Sequence, residues 1–225
     1  MSKSIKRQLL SIIVPCYNEE KCLSAFHQEL IEELEKLNKE KYDYQVILVN
    51  DGSHDKTLDL ILQLAEENTR IQYISFSRNF GKEAAMLAAL EATEADCAVI
   101  MDADLQHPPQ MISAMLEKYE EGYDQVIGKR DRTGDPRKST FFAKAYYRLV
   151  NRFVDVKLVD GAGDFRLMSR SAIDAIASLK ETNRFSKGLF TWVGFNQIYL
   201  DYKNQQRKAN FPRLKALIRN LSKEM

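Results

Sequence analysis

No apolar run in these 225 residues approaches the ~20 that a bilayer-spanning helix needs, so any membrane contact is expected from the surface. Cysteine is scarce: Cys16, Cys22 and Cys97 are an odd number without metal-site spacing. With no secretory leader in front, they argue against a disulfide scaffold and predict reduced thiols in the cytoplasm. Cys16 and Cys97 stand in apolar, strand-like runs, where packing accounts for them. Net charge is nearly absent, at +1 at pH 7. The basic residues are segregated and no recognised binding motif accompanies them, so nucleic acid is a poor partner. Internal repeats and low-complexity linkers are missing too.

What is present is an ordinary globular composition, 44% hydrophobic and 29% charged. It suits one sizeable α/β domain with an appendage. The tail from Lys203 carries seven basic residues (Lys203, Arg207, Lys208, Arg213, Lys215, Arg219 and Lys223) against Glu224. That leaves 26 of the 33 Lys and Arg, and 31 of the 32 Asp and Glu, for residues 1–202. A mildly acidic domain over 1–202 and a basic tail over 203–225 are therefore expected. In the tail, Phe211, Leu214, Leu217, Ile218 and Leu221 share one helical face. Such a helix lies on an anionic membrane, packs on the domain, or docks on another subunit of a homo-oligomer; the pattern leaves these open.

Along the chain, apolar runs alternate with helical patterns. Leu9–Val14 reads as a buried parallel strand closed by Pro15. Asn18 is expected to cap a helix running to about Leu37. A second strand, Val46–Val49, ends in Asn50-Asp51-Gly52-Ser53. Helix 54–67, strand 71–77, an Ala-rich helix 82–93, strand Ala98–Met101 and helix 109–121 follow, and Val126–Gly128 begins another strand. This alternation indicates βαβ units and a mostly parallel sheet. Ligands then bind beyond the carboxyl ends of the strands, where polar clusters fall in turn: Pro15–Glu19, Asn50–Ser53, Ser77–Lys82 and Asp102–Gln106. The second half is less regular. Residues 128–152 hold eight Lys and Arg, mixed with aromatics, and Gly161–Arg166 is a Gly-rich turn entering an apolar segment.

The stretch Asp102-Ala103-Asp104 raises a physical question. If extended geometry persists past Met101, the two carboxylates project to one side, and desolvated they would raise each other's pKa. A divalent cation removes the conflict. Oxygen-only ligands favour Mg²⁺ or Mn²⁺, bound through one or two carboxylates plus substrate phosphates, and Gln106 could add a carbonyl oxygen. The alternative is a solvated acidic turn leading into the next helix through Pro108 and Pro109. His107 suits a helix-start or supporting role better than direct ligation. Asp51 could accept from a base or ribose, or simply cap a helix; Tyr17 could stack on a base, with Glu19 nearby.

Taken together, Ile13-Val14-Pro15-Cys16-Tyr17-Asn18-Glu19, Asn50-Asp51-Gly52-Ser53-His54-Asp55, Arg78-Asn79-Phe80-Gly81-Lys82-Glu83 and Asp102-Ala103-Asp104-Leu105-Gln106 resemble a family 2 glycosyltransferase. More narrowly, the set is similar to the dolichyl-phosphate mannosyltransferase and bactoprenol glucosyltransferase group. Gly163–Arg170 and Lys187–Gly194 are typical of its bacterial members. The resemblance runs from about Leu10 to Gln197. It implies a GT-A fold, a Rossmann-like, mostly parallel sheet flanked by helices. It implies a metal-dependent, inverting transfer from a nucleoside diphosphate sugar, with a UDP-sugar favoured, to a polyprenyl phosphate at the inner face of the cell membrane. Carried over by position, Pro15, Tyr17, Glu19, Asp51, Lys82 and Asp102 hold the nucleotide sugar. Asp102, Asp104 and Gln106 hold Mg²⁺ or Mn²⁺. Arg130, Arg132 and Arg166 face phosphates, and Asp104, Asp164 and Arg130 are the catalytic candidates. A phosphate acceptor is already anionic, which agrees with the lack of an obvious His base.

The sequence departs from the family in two places. Bacterial members usually continue into two transmembrane helices, which are not found before Met225. An Arg-x-x-Gly-x-Ser-like pattern is expected after the last strand, where Arg207–Pro212 has neither that Gly nor Ser. Acceptor binding is the part this leaves open. A soluble transferase acting on a saccharide or protein, which would need a base, and a non-catalytic nucleotide-binding protein both remain alternatives.

Overall fold

The computed structural model describes residues 7–131, 161–179 and 194–203. The first half alternates as its sequence pattern predicts: β1 (Gln8–Cys16), α1 (Leu23–Leu34), β2 (Tyr42–Asn50), α2 (Thr57–Glu67), β3 (Ile71–Ser75), α3 (Lys82–Ala92), β4 (Cys97–Ile100), α4 (Met111–Glu120) and β5 (Gln125–Asp131). Then come β6 (Ala162–Ser169), α5 (Arg170–Ser178) and β7 (Gln197–Lys203). The helix expected over 211–221 lies outside the described residues, as does Arg132.

The strands form one seven-stranded sheet in the order β3-β2-β1-β4-β6-β5-β7. β1, β2, β3 and β4 pair in parallel, and β7 is parallel to β5. Among the described strands only β6 runs the other way, antiparallel to both β4 and β5. The sheet is thus mostly parallel and mixed, the GT-A architecture expected.

β1 lies inside the sheet, between β2 and β4, covered on both faces, which is why its sequence is a near-continuous apolar run rather than an alternating one. Leu10, Ile12 and Val14 face one core, packed with Phe26 and Leu30 of α1, Ile61 of α2 and Met115 of α4. Ile13 faces the other, with Ala85, Met86 and Ala89 of α3 and Ile173 of α5. Three layers result, each helix burying its apolar stripe against the sheet. α3 is rich in alanine and buries Ala85, Met86, Ala89 and Leu90 in this second core.

The ladders bring the strand ends level. Cys16 pairs with Asn50 and Ile13 with Ile100, and the amides of Asp51 and Met101 donate to the carbonyls of Cys16 and Ile13. Because β6 is reversed, the last residue of β4, Ile100, pairs with Arg166, and the amino end of β6 lies beyond it. The amino end of β6 therefore joins the carboxyl ends of β1, β2 and β4 at one edge.

Candidate active site

The first wall comes from the β1–α1 loop, tied to the β2–α2 loop by side-chain acceptors. The amide of Asn18 donates to Ser53 Oγ at 3.1 Å and that of Glu19 to Thr57 Oγ1 at 2.8 Å. The amides of Glu20 and Lys56 donate to Asp55 and Glu20, respectively. Asn18 does not start the helix, contrary to expectation. It takes φ of 56°, and its side-chain oxygen accepts the His54 amide at 2.9 Å. Its short amide tolerates the left-handed region and reaches across loops. Ser53, Asp55 and Thr57 thus hold the wall; their only sequence signal is a cluster of small acceptors directly after a strand. Tyr17 stands on this wall 41% exposed, its ring edge-on to His54.

Asp51, at 3% exposure, clamps the second wall. Its Oδ1 accepts the Phe80 amide at 2.7 Å, and both its oxygens accept the Gly81 amide. These are amides at the start of α3, where the helix dipole also favours a carboxylate. Gly52 makes the clamp close. At φ of 63°, a Cβ there would overlap the Arg78 carbonyl carbon and lie 2.5 Å from the Asn79 nitrogen.

Lys82, at the first turn of α3, occupies the centre. Its ammonium lies 2.6 Å from Asp102 Oδ1 and 2.9 Å from Asp164 Oδ2. Extended geometry stops after Met101: the chain turns at Ala103-Asp104, and Leu105 has φ of 62°. Asp104 Oδ1 accepts the Gln106 amide at 3.1 Å, which closes that turn. Asp102 and Asp104 nevertheless face the same cleft. Among the described residues no three of His, Cys, Asp and Glu gather in metal-binding geometry. Two oxygen-only side chains fit a hard cation that takes its other ligands from water and a diphosphate.

His107 supports the site from beneath. Its Nδ1 accepts the Asp102 amide at 3.0 Å, and its ring stacks on Phe165 at 4.8 Å. Burial holds its pKa below the ordinary 6.5, so the ring is neutral and the acceptor nitrogen stays available. The unfolded chain therefore takes up the proton first as pH falls. The stability this provides is complete above about 6.5 and is lost as pH drops from there toward the folded value, at up to about 1.4 kcal/mol per unit. Urea unfolding at pH 7.5 and 5.5 should show this loss, and His107→Gln should flatten it. An unchanged slope in the variant would place the pH dependence elsewhere.

The residues expected to face the acceptor are arranged differently from those expected to hold the donor. Arg166 is 3% exposed; its guanidinium donates to the Gly163 carbonyl at 2.7 Å and to Gln125 at 3.4 Å. Burial pushes its pKa down to about 10. In this arrangement it braces the strand that carries Asp164. The Arg130 amide donates to the Gly161 carbonyl at 2.9 Å, holding β5 against the same strand. The cleft has a volume of about 470 Å³. It brings together Pro15, Tyr17, Glu19, Asp51, Lys82, Asp102 and Asp104, while Gln106, Arg130, Asp164 and Arg166 are not among its lining residues. Of these, Asp164 connects to it through Lys82.

A nucleotide-sized, acid-floored cleft at the carboxyl edge of such a sheet invites comparison with known proteins. The Bacillus subtilis protein CsbB is 48% identical over 91% of this chain and 61% of its own length. The bactoprenol glucosyl transferase of Shigella phage SfX is 38% identical over 89% of this chain and 65% of its own length. The chain thus spans less than two thirds of the length of these curated relatives. Among solved structures, the mannosyltransferase PcManGT of Pyrobaculum calidifontis, in complex with GDP-Man and Mn²⁺, superposes with a TM-score of 0.63. That match covers 95% of this chain and 61% of that one at 17% identity, which shows the shared fold. No helix among the described residues is long and apolar enough to cross a membrane. The model of glycosyl transferase family 2 matches residues 11–177, and the chain belongs to that family.

Proposed function

We propose that this chain transfers a sugar from a nucleoside diphosphate sugar, with a UDP-sugar favoured, to a polyprenyl phosphate at the cytoplasmic face of the membrane. The observation that carries the reading is the pair Asp102 and Asp104 lining one cleft together with Tyr17 and Asp51. The likeness to a bactoprenol glucosyl transferase supports the acceptor class, and the Mn²⁺ complex of the structural neighbour supports a divalent ion.

In this reading the exposed Tyr17 ring stacks on the base, and Pro15, Glu19 and Asp51 bound the nucleoside. Asp102 and Asp104, with Gln106 alongside, hold Mg²⁺ or Mn²⁺. The bound ion supplies a Lewis acid for the charge that develops on the leaving diphosphate. Arg130, Arg132 and Arg166 belong to the side that receives the acceptor phosphate, and Asp164 orients it. An anionic phosphate oxygen attacks the anomeric carbon from the face opposite the diphosphate, inverting it. No general base is required, in keeping with a neutral His107 whose Nδ1 already accepts the Asp102 amide.

Thermal and urea unfolding with UDP-, GDP- and dTDP-sugars, each with and without Mn²⁺, tests the donor half. A ligand at about 100 times its Kd should add about 2.7 kcal/mol, with one nucleotide class and only with Mn²⁺. A well-folded protein that responds to none of them sinks the reading. Transfer of labelled sugar to a polyprenyl phosphate in detergent tests the acceptor half, and transfer only to a saccharide would replace it.

A further inference from the structure

Lys82 is placed where a donor-phosphate lysine is expected, yet its ammonium is spent on two carboxylates of this chain. The β4–β6 ladder ends with Ile100 opposite Arg166. Beyond the ladder, Asp102 lies two residues past Ile100 and Asp164 two residues before Arg166, and both carboxylates reach the same ammonium. Like charges at such positions repel. Lys82 lies 2.6 Å from one and 2.9 Å from the other, and so offsets their repulsion.

This lysine is fixed at its base. Asp51 holds the Phe80 and Gly81 amides, and Gly81, at φ of 96°, turns the chain into α3. The side chain is 37% exposed and lines the cleft. Asp102 thus belongs to two arrangements at once: the ion pair with Lys82, and the carboxylate wall it forms with Asp104. A divalent cation entering alone would meet a cation already in contact with Asp102, and that repulsion is strong in a partly desolvated cleft. A nucleoside diphosphate supplies negative charge that changes the balance, because an ammonium released by Asp102 then has phosphate oxygens within the same cleft to meet.

We propose that Lys82 is a positioning residue that acts as the site's own counter-ion. It ties donor-side Asp102 to acceptor-side Asp164 and withholds Asp102 from a divalent cation until a nucleoside diphosphate enters with it. The proposal rests on the donor-site reading above. It makes cation and nucleotide bind as a unit, each weakly alone.

The test is a calorimetric titration of Mn²⁺ alone, and of Mn²⁺ with UDP or GDP, into wild type, Lys82→Gln and Lys82→Arg. Lys82→Gln should bind Mn²⁺ alone at least about tenfold more tightly than wild type. The gain in Mn²⁺ affinity caused by nucleotide should shrink by a similar factor, while Lys82→Arg keeps the wild-type pattern. Unchanged affinity for Mn²⁺ alone in Lys82→Gln, with weaker nucleotide binding, would overturn the proposal and leave Lys82 a plain diphosphate ligand. Wild-type protein that binds UDP and GDP no better with Mn²⁺ would instead sink the donor-site reading. The comparison on Mn²⁺ alone uses no nucleotide and would still decide the role of Lys82. Should Lys82→Gln not fold, the ammonium resonance of Lys82 in wild type carries the same question. It should keep its position under Mg²⁺ alone and shift under Mg²⁺ with nucleotide; a shift under Mg²⁺ alone overturns the proposal.

Discussion

Asp104→Asn should weaken Mn²⁺-dependent nucleotide binding by at least about a hundredfold and leave the fold intact. Replacing even a group that only orients a metal ligand typically costs ten- to a hundredfold, and Asp104 is proposed to meet the ion itself. The substitution isolates charge from shape. Asp104 Oδ1 accepts the Gln106 amide, and an asparagine oxygen can accept it equally well, so the turn that places Leu105 at φ of 62° survives. Folding stability should then change by no more than about 0.5 kcal/mol, as for a surface site. Asp102 is the less informative target, because its loss also removes a partner of Lys82. Binding measured with and without Mn²⁺ decides the matter. Asp104→Asn should lose the metal-dependent part and keep whatever affinity is metal-independent. Full affinity in the variant would remove Asp104 from the metal site.

Gly52→Ala should cost about 3 kcal/mol or more in stability and impair donor binding in whatever protein remains folded. Two effects combine. A non-glycine residue at φ of 63° is strained, worth about 1 kcal/mol or somewhat more. The new methyl would also overlap the Arg78 carbonyl carbon, and backbone yields less readily than a side chain, so overpacking adds about 1–3 kcal/mol. Gly122→Ala is the control. Its φ is 96°, but nothing lies within 4 Å of the added Cβ, so only the strain should appear. Equal losses in the two variants, read from urea midpoints, would show that the 78–81 segment moves aside freely. Asp51 would then not clamp it, since the same carboxylate that holds Phe80 and Gly81 depends on that close approach.

Much of this molecule is legible without coordinates. Leu10–Val14 and Val46–Val49 are apolar on both faces, which only a sheet covered on both sides accommodates. The helical segments between them leave few arrangements other than a parallel α/β sheet. The polar strand ends then fall on one edge by topology alone, and Tyr17, Asp51, Asp102 and Asp104 do line one cleft. The helix starts at Leu23 and not at Asn18 because of a contact far away in sequence. The side chain of Asn18 satisfies a loop amide 36 residues away, which no pattern around it reports. The burial of Arg166, expected to face a phosphate, against Gly163 and Gln125 is likewise a tertiary contact that its local sequence does not report.

The sequence by itself therefore determined the layered α/β architecture, the edge that carries the site and the family, because periodicity and strand-end chemistry are local. Only the tertiary structure decided how the halves of the site meet. The reversal of β6 between β4 and β5 brings Asp164 to the edge that carries Asp102, and Lys82, at the start of α3 that Asp51 clamps, pairs with both. Those contacts join residues dozens of positions apart, so their partners follow from strand order and register, which one-dimensional spacing does not encode.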